Sequence, residues 1–363
     1  MAAIEAHDDL ELATIVTGMH LAPAYGNTHE DITNDGFEIT RRVNMLMEGD
    51  DGLDMAKSLG LGTMGLAEAF RDVDPDIVLV LGDRDEPLAA ALAAAHMNIP
   101  VAHIHGGDVM MGATIDDSIR YALTKFAHIH FPASEASARR VAQLGETEWR
   151  ITIAGAPGLD PILRGEYRPG QAVVEDLELD PTTPIVLVVQ HPVTTAPERA
   201  GKQMQTTLDA VTNYDVQPVV IYPNSDAGGK QIVDVIESHP ASDEFETFKS
   251  LPRPTYLGLM EAAATMVGNS SSGIIESSSF DLPVVDIGPR EEGRQRADNT
   301  ISVPHQQGAI ESAIDQALFD EAFRERVREC DNPYAYGGAG ERIADRLADI
   351  QIDERLLQKE ISF

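Results

Sequence analysis

The chain has 363 residues, 43% of them hydrophobic, with 29 Gly, 21 Pro and a single Cys. At roughly 150 residues per domain this is enough for two cores, and it excludes disordered, collagen-like and disulfide-framework chains. Lys and Arg total 27 against 60 Asp and Glu, a net charge of −33, which repels nucleic acid and anionic lipid. No apolar run approaches the ~20 residues of a membrane span and no basic leader is visible, so the reading is a cytoplasmic protein without membrane or nucleic-acid partners. The acids are spread rather than gathered in a tail, as expected of a surface adapted to high salt, where screening relieves self-repulsion.

In chain order, strands are expected at 10–17 (LELATIVT), 76–83 (DIVLVLGD), 100–106 (PVAHIHG), 127–133 (AHIHFPA) and 150–154 (RITIA). Helical spacing of apolar residues marks 54–71, 86–97, 116–125 and 134–144. Short apolar strands alternating with amphipathic helices imply a parallel sheet covered on both faces. A turn-rich stretch, 155–184, reads as a linker. The rhythm then restarts with strands expected at 185–189, 218–222, 255–257, 266–268 and 283–287, and a helix over 341–358 closes the chain. The expected architecture is two Rossmann-like α/β domains, 1–158 and 159–340, with the helix 341–363 packing back on the first. In such sheets ligands sit at the carboxyl ends of the strands, so polar residues there are the candidates.

The first of these is Asp83 in Gly82-Asp83-Arg84. Beside a cation it can stay ionised and act as a base, or it can simply cap the helix that follows. The next strand ends in His103-Ile104-His105-Gly106-Gly107-Asp108, followed by Asp116-Asp117. Two-residue spacing places His103 and His105 on one face, suited to a metal or to a metal-free acid/base cluster; Asp116 and Asp117 can equally cap a helix. His128 and His130 repeat the spacing and read as satisfied core or edge histidines.

In the second half the strand ends carry His191-Pro192, Pro223-Asn224 and Asn269-Ser270-Ser271-Ser272-Gly273. A strand leading through small polar residues into a helix offers N–H groups to an anion without lysine, with capping as the plainer alternative. Glu276 is placed for paired ribose hydroxyls, and Arg290 can add a cation. Neither G-x-x-x-x-G-K-[ST] nor G-x-G-x-x-G occurs, against a P-loop NTPase and a dinucleotide dehydrogenase.

Together these stretches resemble the UDP-N-acetylglucosamine 2-epimerase family, nearest its hydrolysing branch. The resemblance rests on Val16–His20 with Ala24–Asn27, Gly82–Arg84, His103–Asp108, Ile115–Arg120 and Gly155–Gly158. It continues through His191-Pro192, Pro223-Asn224, Gly268–Glu276, Gly288–Arg294 and Asn332–Tyr334, in order over nearly the whole chain. It implies a glycosyltransferase-B-type fold with the active site in the interdomain cleft, a UDP-sugar substrate, no metal or bound cofactor, and a homodimer or homotetramer. The implied reaction eliminates UDP to a glycal, then hydrates it to the C2-inverted free sugar, a precursor of sialic- or legionaminic-type acids. Asp83, His105 and Asp116 fall on the catalytic positions. His191, Asn224, Ser270, Ser271, Glu276 and Arg290 fall on the UDP-contacting ones, with Arg84 nearby.

Two departures accompany the resemblance. Some relatives have Glu where His105 stands, and Asp108 can supply that carboxylate. Relatives also open with a strand and an Arg-containing turn of the form T-G-[TS]-R-A-[DE]-Y-G, whereas here 10–17 matches the family's second strand. The expectation is a start assigned too late or a truncation, giving weak activity that an upstream extension restores. Other readings are a non-hydrolysing epimerase, a glycosyltransferase of the same fold, a non-catalytic UDP-sugar binding protein, and a metallohydrolase built on His103 and His105.

Overall fold

The computed structural model describes residues 1–49, 51–110 and 115–362. The chain forms two compact units: Met1–Asp108 with Ile115–Asp160 and Tyr336–Phe363, and Val109–Thr114 with Pro161–Ala335.

The first unit begins with α1 (Ala2–Glu5), β1 (Thr14–Thr17), α2 (His29–Asn34) and β2 (Ile39–Val43), and β1 pairs in parallel with β2. α3 (Gly52–Val73) follows, its first turn capped by the Asp51 carboxylate, which accepts from the Leu53 and Asp54 amides. Then come β3 (Val78–Leu81), α4 (Asp85–His96), β4 (Val101–Ile104), α5 (Asp116–Phe126), β5 (Ile129–Phe131) and α6 (Glu135–Gln143). β3, β4 and β5 form a second parallel sheet, separate from the first. β4 lies at its centre and is buried throughout, which is why VAHI reads as a continuous apolar run. Among the described residues β3 pairs with no strand but β4, and Leu81 at its end is 56% exposed. The strand expected at 150–154 reduces to a single bridge, Ile151 to His130.

In the second unit, α7 (Asp160–Arg164) crosses the unit boundary and α8 (Gly170–Asp176) follows. The strands are β6 (Ile185–Val189), β7 (Gln217–Ile221), β8 (Glu246–Phe248), β9 (Thr265–Gly268), β10 (Val284–Ile287) and β11 (Thr300–Val303). They make one six-stranded sheet in the order β11-β10-β9-β6-β7-β8, with parallel pairing throughout. Around it lie α9 (Ala200–Val211), α10 (Gly229–Ser238), α11 (Arg253–Ala262), α12 (Ser272–Ile275), α13 (Gln307–Phe319) and α14 (Glu321–Glu329). Val186, Val188, Leu208, Val220, Val267, Val285 and Ile314 form the heart of its core.

The expected strand 255–257 is instead the middle of α11; Thr255, Leu257, Gly258, Leu259 and Met260 are all buried there, and three apolar-looking residues carry no period. The helix expected over 341–358 is two pieces, α15 (Ala339–Ala348) and α16 (Glu354–Leu357). Ile350 packs against the core beneath β4 and β5, and the Asp353 carboxylate accepts from the Leu356 amide to start α16 afresh. Strands β2, β8 and β11, which the pattern does not announce, all lie at sheet edges and carry polar residues.

The closing segment is fastened to the first unit by polar contacts. Asp160 accepts from the Ala339 and Gly340 amides at the start of α15. Arg150 donates to the carbonyls of His128, Leu356, Arg355 and Gln358. Lys359 donates to the carbonyls of Thr124, Lys125 and Ala127 and lies 2.8 Å from the Glu146 carboxylate.

Candidate active site

In the first unit the polar residues gather at the carboxyl ends of β3 and β4. After β3 the chain turns through Gly82 (φ +84°), whose amide donates to the Ile104 carbonyl, and so delivers Asp83 beside β4. Asp83 does not cap α4. Its carboxylate is paired with Arg120, which is fully buried and also binds the Asp117 carboxylate and donates to the Asp108 carbonyl. Asp117 is thereby engaged as an ion-pair partner, and the N-cap position of α5 is held by Ile115 rather than by either aspartate. Asp116 is the first residue of α5 and 5% exposed. Arg84 places its guanidinium 3.6 Å from Glu86. The end of β1 comes close as well: a Cβ on Gly18 (φ +64°) would lie 2.2 Å from the Glu86 carboxylate.

His105 follows β4 with φ +68°, a left-handed conformation that non-glycine residues adopt at a cost and that collects at functional sites. Its amide donates to the Phe131 carbonyl, and its Nδ1 lies 3.5 Å from Asp108 Oδ2. Asp108 is buried and its other oxygen accepts from Ser137 Oγ at 2.7 Å. Gly107 is required here, because a Cβ at its φ of +81° would meet the Ser137 carbonyl oxygen at 2.1 Å.

The left-handed residue breaks the two-residue alternation, so His103 and His105 do not share a role. His103 is wholly buried, its Nε2 bonded to the Gly82 carbonyl at 2.7 Å. Burial lowers its pKa to about 4, which makes it a neutral donor bracing the β3 turn. His130 bonds the buried Glu146 carboxylate at 3.1 Å, and His128 accepts from the Val101 amide through Nδ1.

In the second unit the carboxyl ends of β6, β7, β9 and β10 carry the other candidates. Asn269, 1% exposed, brackets His191: its Oδ1 accepts from the His191 amide at 2.7 Å and its Nδ2 donates to the His191 carbonyl at 2.9 Å. The Asn224 amide donates to His191 Nδ1, which places the proton of the neutral ring on Nε2. Asn224 in turn bonds Asp226 through its side-chain amide. Gly268 (φ +142°) allows the chain past β6, where a Cβ would lie 2.0 Å from the Val189 carbonyl oxygen. Ser270 and Ser271 then lead into α12, a single turn; capping is confined to a long 3.4 Å contact from the Ser272 amide to Ser270 Oγ. So short a helix has little macrodipole, and an anion here would depend on N–H groups and Arg290. Arg290 donates to the Asn269 carbonyl and to Glu291, a fully buried carboxylate that Arg294 also holds at 2.7 Å. Glu276 is gripped by both guanidinium nitrogens of Arg253.

The sequence singled out Asp83, His105, Asp108 and Asp116; the structure places the first three after the carboxyl ends of β3 and β4, and Asp116 at the start of α5. It adds Arg120, Asp117, Ser137 and Asn269 as the groups that orient them or their counterparts. The available signal for Arg120 was its place three residues after Asp117, on the same face of a helix that opens with two Asp.

The model of the UDP-N-acetylglucosamine 2-epimerase family matches residues 2–348. The chain is 37% identical to a UDP-N,N'-diacetylbacillosamine 2-epimerase (hydrolyzing) of Legionella pneumophila, over 97% of this chain and 92% of that one. It is 35% identical to a GDP/UDP-N,N'-diacetylbacillosamine 2-epimerase (hydrolyzing) of Campylobacter jejuni, over 82% of this chain and 78% of the relative. The crystal structure of UDP-GlcNAc 2-epimerase from Neisseria meningitidis bound to UDP-GlcNAc superposes with a TM-score of 0.78 at 17% identity, covering 95% and 94% of the two chains. The UDP co-structure of S. aureus MnaA gives 0.77 at 17% identity, covering 95% and 90%. At such identities the superpositions speak for the fold: two α/β units with parallel sheets, of the glycosyltransferase-B type.

Proposed function

The chain belongs to the UDP-N-acetylglucosamine 2-epimerase family, and from that footing we propose that it is a hydrolysing 2-epimerase acting on a UDP-2-acetamido sugar. UDP-N-acetylglucosamine and a diacetamido-trideoxy analogue are the two candidate substrates; the Legionella and Campylobacter relatives favour the second. The products are UDP and a free sugar of the N-acetylmannosamine type.

The observation that carries the chemical assignment is His105, held left-handed after β4 with Asp108 behind its ring. In the first step the C2 proton passes to a base, the C1–O bond breaks with its electron pair going to the phosphate oxygen, and a C1–C2 double bond forms. In the second, water adds at C1 and a proton returns to C2 from the opposite face. Inversion therefore calls for two proton-moving groups. His105, oriented by Asp108, serves one face. Asp83, paired with Arg120, or Asp116 serves the other. On the nucleotide, His191 Nε2–H, Arg290 and the Ser270–Ser271 loop meet the diphosphate, and such charge-assisted bonds strengthen as charge develops on the leaving group. Asn224 supports His191, Arg84 adds a cation to the first unit's set, and Glu276 takes the ribose hydroxyls. No metal or redox cofactor enters these steps.

Incubation with each UDP-sugar in D2O at high salt with EDTA, followed by proton NMR, tests this. Free sugar inverted and deuterated at C2, with UDP, is the expected result. UDP-sugar that inverts without release would make the enzyme non-hydrolysing, and binding without turnover would make the protein a sensor. A cytoplasmic location and a homodimer or homotetramer go with this reading. Leu53, Leu61 and Met64 are exposed on α3, and light scattering after gel filtration reads the assembly.

A further inference from the structure

Glu276 closes α12, and Arg253 opens α11 just after β8, so both lie at the carboxyl edge of the second unit's sheet. Arg253 Nη1 donates to Glu276 Oε2 at 3.1 Å and Nη2 to Oε1 at 2.8 Å, a fork-to-fork pair. The Glu276 side chain is 12% exposed and that of Arg253 is 40% exposed. An ion pair this open to water adds little to stability, so its effect is geometric. A glutamate side chain has three rotatable bonds, which its backbone alone does not fix. A bidentate guanidinium fixes both the position and the plane of its carboxylate. The two bonds take one acceptor site on each oxygen and leave the other on each for a second pair of donors. A vicinal diol presents such a pair.

We infer that Arg253 is a positioning residue that presets Glu276 for a cis-diol and so sets the preference for ribonucleotides over 2′-deoxyribonucleotides. The inference rests on the reading of this edge as the UDP site.

Calorimetric titration with UDP and with 2′-deoxy-UDP tests it on the wild type, Arg253→Gln, Arg253→Lys, Glu276→Gln and the Arg253→Gln/Glu276→Gln double variant. One lost charge-assisted hydrogen bond corresponds to a preference of roughly tenfold for UDP in the wild type. Arg253→Gln is expected to reduce that preference to about twofold, as Glu276→Gln does, with 2′-deoxy-UDP affinity nearly unchanged. The double variant should be no worse than Glu276→Gln alone. Arg253→Lys, which keeps the charge but cannot form the fork, should fall between wild type and Arg253→Gln, and it decides the matter should Arg253→Gln not fold. An undiminished preference in either Arg253 variant, or equal loss for both nucleotides, overturns the inference while leaving the UDP site intact. Failure of the wild type to bind either nucleotide overturns the site reading itself, and this inference with it.

Discussion

The two units arrive at parallel sheets by different routes. In the second, six strands run in one sheet and the core around Val188, Leu208 and Val267 is apolar and continuous. In the first, the strands fall into two sheets with two apolar clusters, and ion networks tie the ends of β3–β5 and the closing segment: Arg120 between Asp83 and Asp117, and Glu146 among Lys125, His130 and Lys359. Apolar burial is undirected; it rewards contact and tolerates small shifts. Buried ions are directional and costly unless every partner is in place. On the proposed reading, the carboxylates that act on the sugar carbon stand within one of these ion networks. The second unit buries ions as well, Glu291 with Arg290 and Arg294 and Asp286 with Arg296, but its sheet is centred on the apolar cluster.

The contrast can be broken at several points, and Trp149, the chain's single tryptophan, reports on the first unit alone. The largest effect is expected from Arg120→Met, which strands the buried Asp117 carboxylate and the part-buried one of Asp83. It should lower the first unit's stability by about 4 kcal/mol in a denaturant titration followed at Trp149, and abolish turnover. A midpoint that stays put would mean the ion network is not what holds this unit. Leu208→Ala should cost about 3 kcal/mol in the second unit, by a far-ultraviolet transition, and cost the same at pH 5 as at pH 7.

Glu146→Gln should cost about 2 kcal/mol at neutral pH and progressively less in acid. Burial opposes ionisation of Glu146, but hydrogen bonds from His130, Lys125 and Lys359 outweigh it and hold the pKa at about 2. A depressed carboxyl pKa contributes stability that is complete above the unfolded value of 4.5 and is lost as pH falls toward 2. The wild-type and variant curves should therefore converge across that window; parallel curves would assign Glu146 a purely steric role. The smallest effect is a rise of a few degrees in both transitions from low to molar KCl, as the net charge of −33 is screened. A fall in the Trp149 transition alone would show the buried ions to be within reach of salt.

What could be read from sequence follows the same division. Continuous apolar strands such as VAHI and IVLVV declare themselves, because a residue's own burial is written in its own side chain. Edge strands β2, β8 and β11 are half polar and pass for loops, and three residues of α11 pass for a strand. At the site, Asp83, His105 and Asp108 are visible as polar residues ending apolar runs. Their partners are not. Arg120 meets Asp83 across 37 positions and Asn269 meets His191 across 78, separations that no local period encodes. The pattern also gave His103 and His105 a common face, because alternation assumes an extended backbone and His105 is not extended.

The order in which the chain is made gives the Lys359–Glu146 contact a further meaning. Residues 161–335 emerge from the ribosome as one uninterrupted run and hold nearly all of the second unit, while the first is opened by the earliest residues and completed only by the latest. Glu146 is synthesised more than two hundred positions before the lysine that neutralises it. A nascent chain thus carries a folded carboxyl-proximal half beside an unfinished amino-terminal one, and the final few residues seal it. A chain broken off near residue 340 keeps the residues of the second unit but loses the segment that brings Lys359 to Glu146.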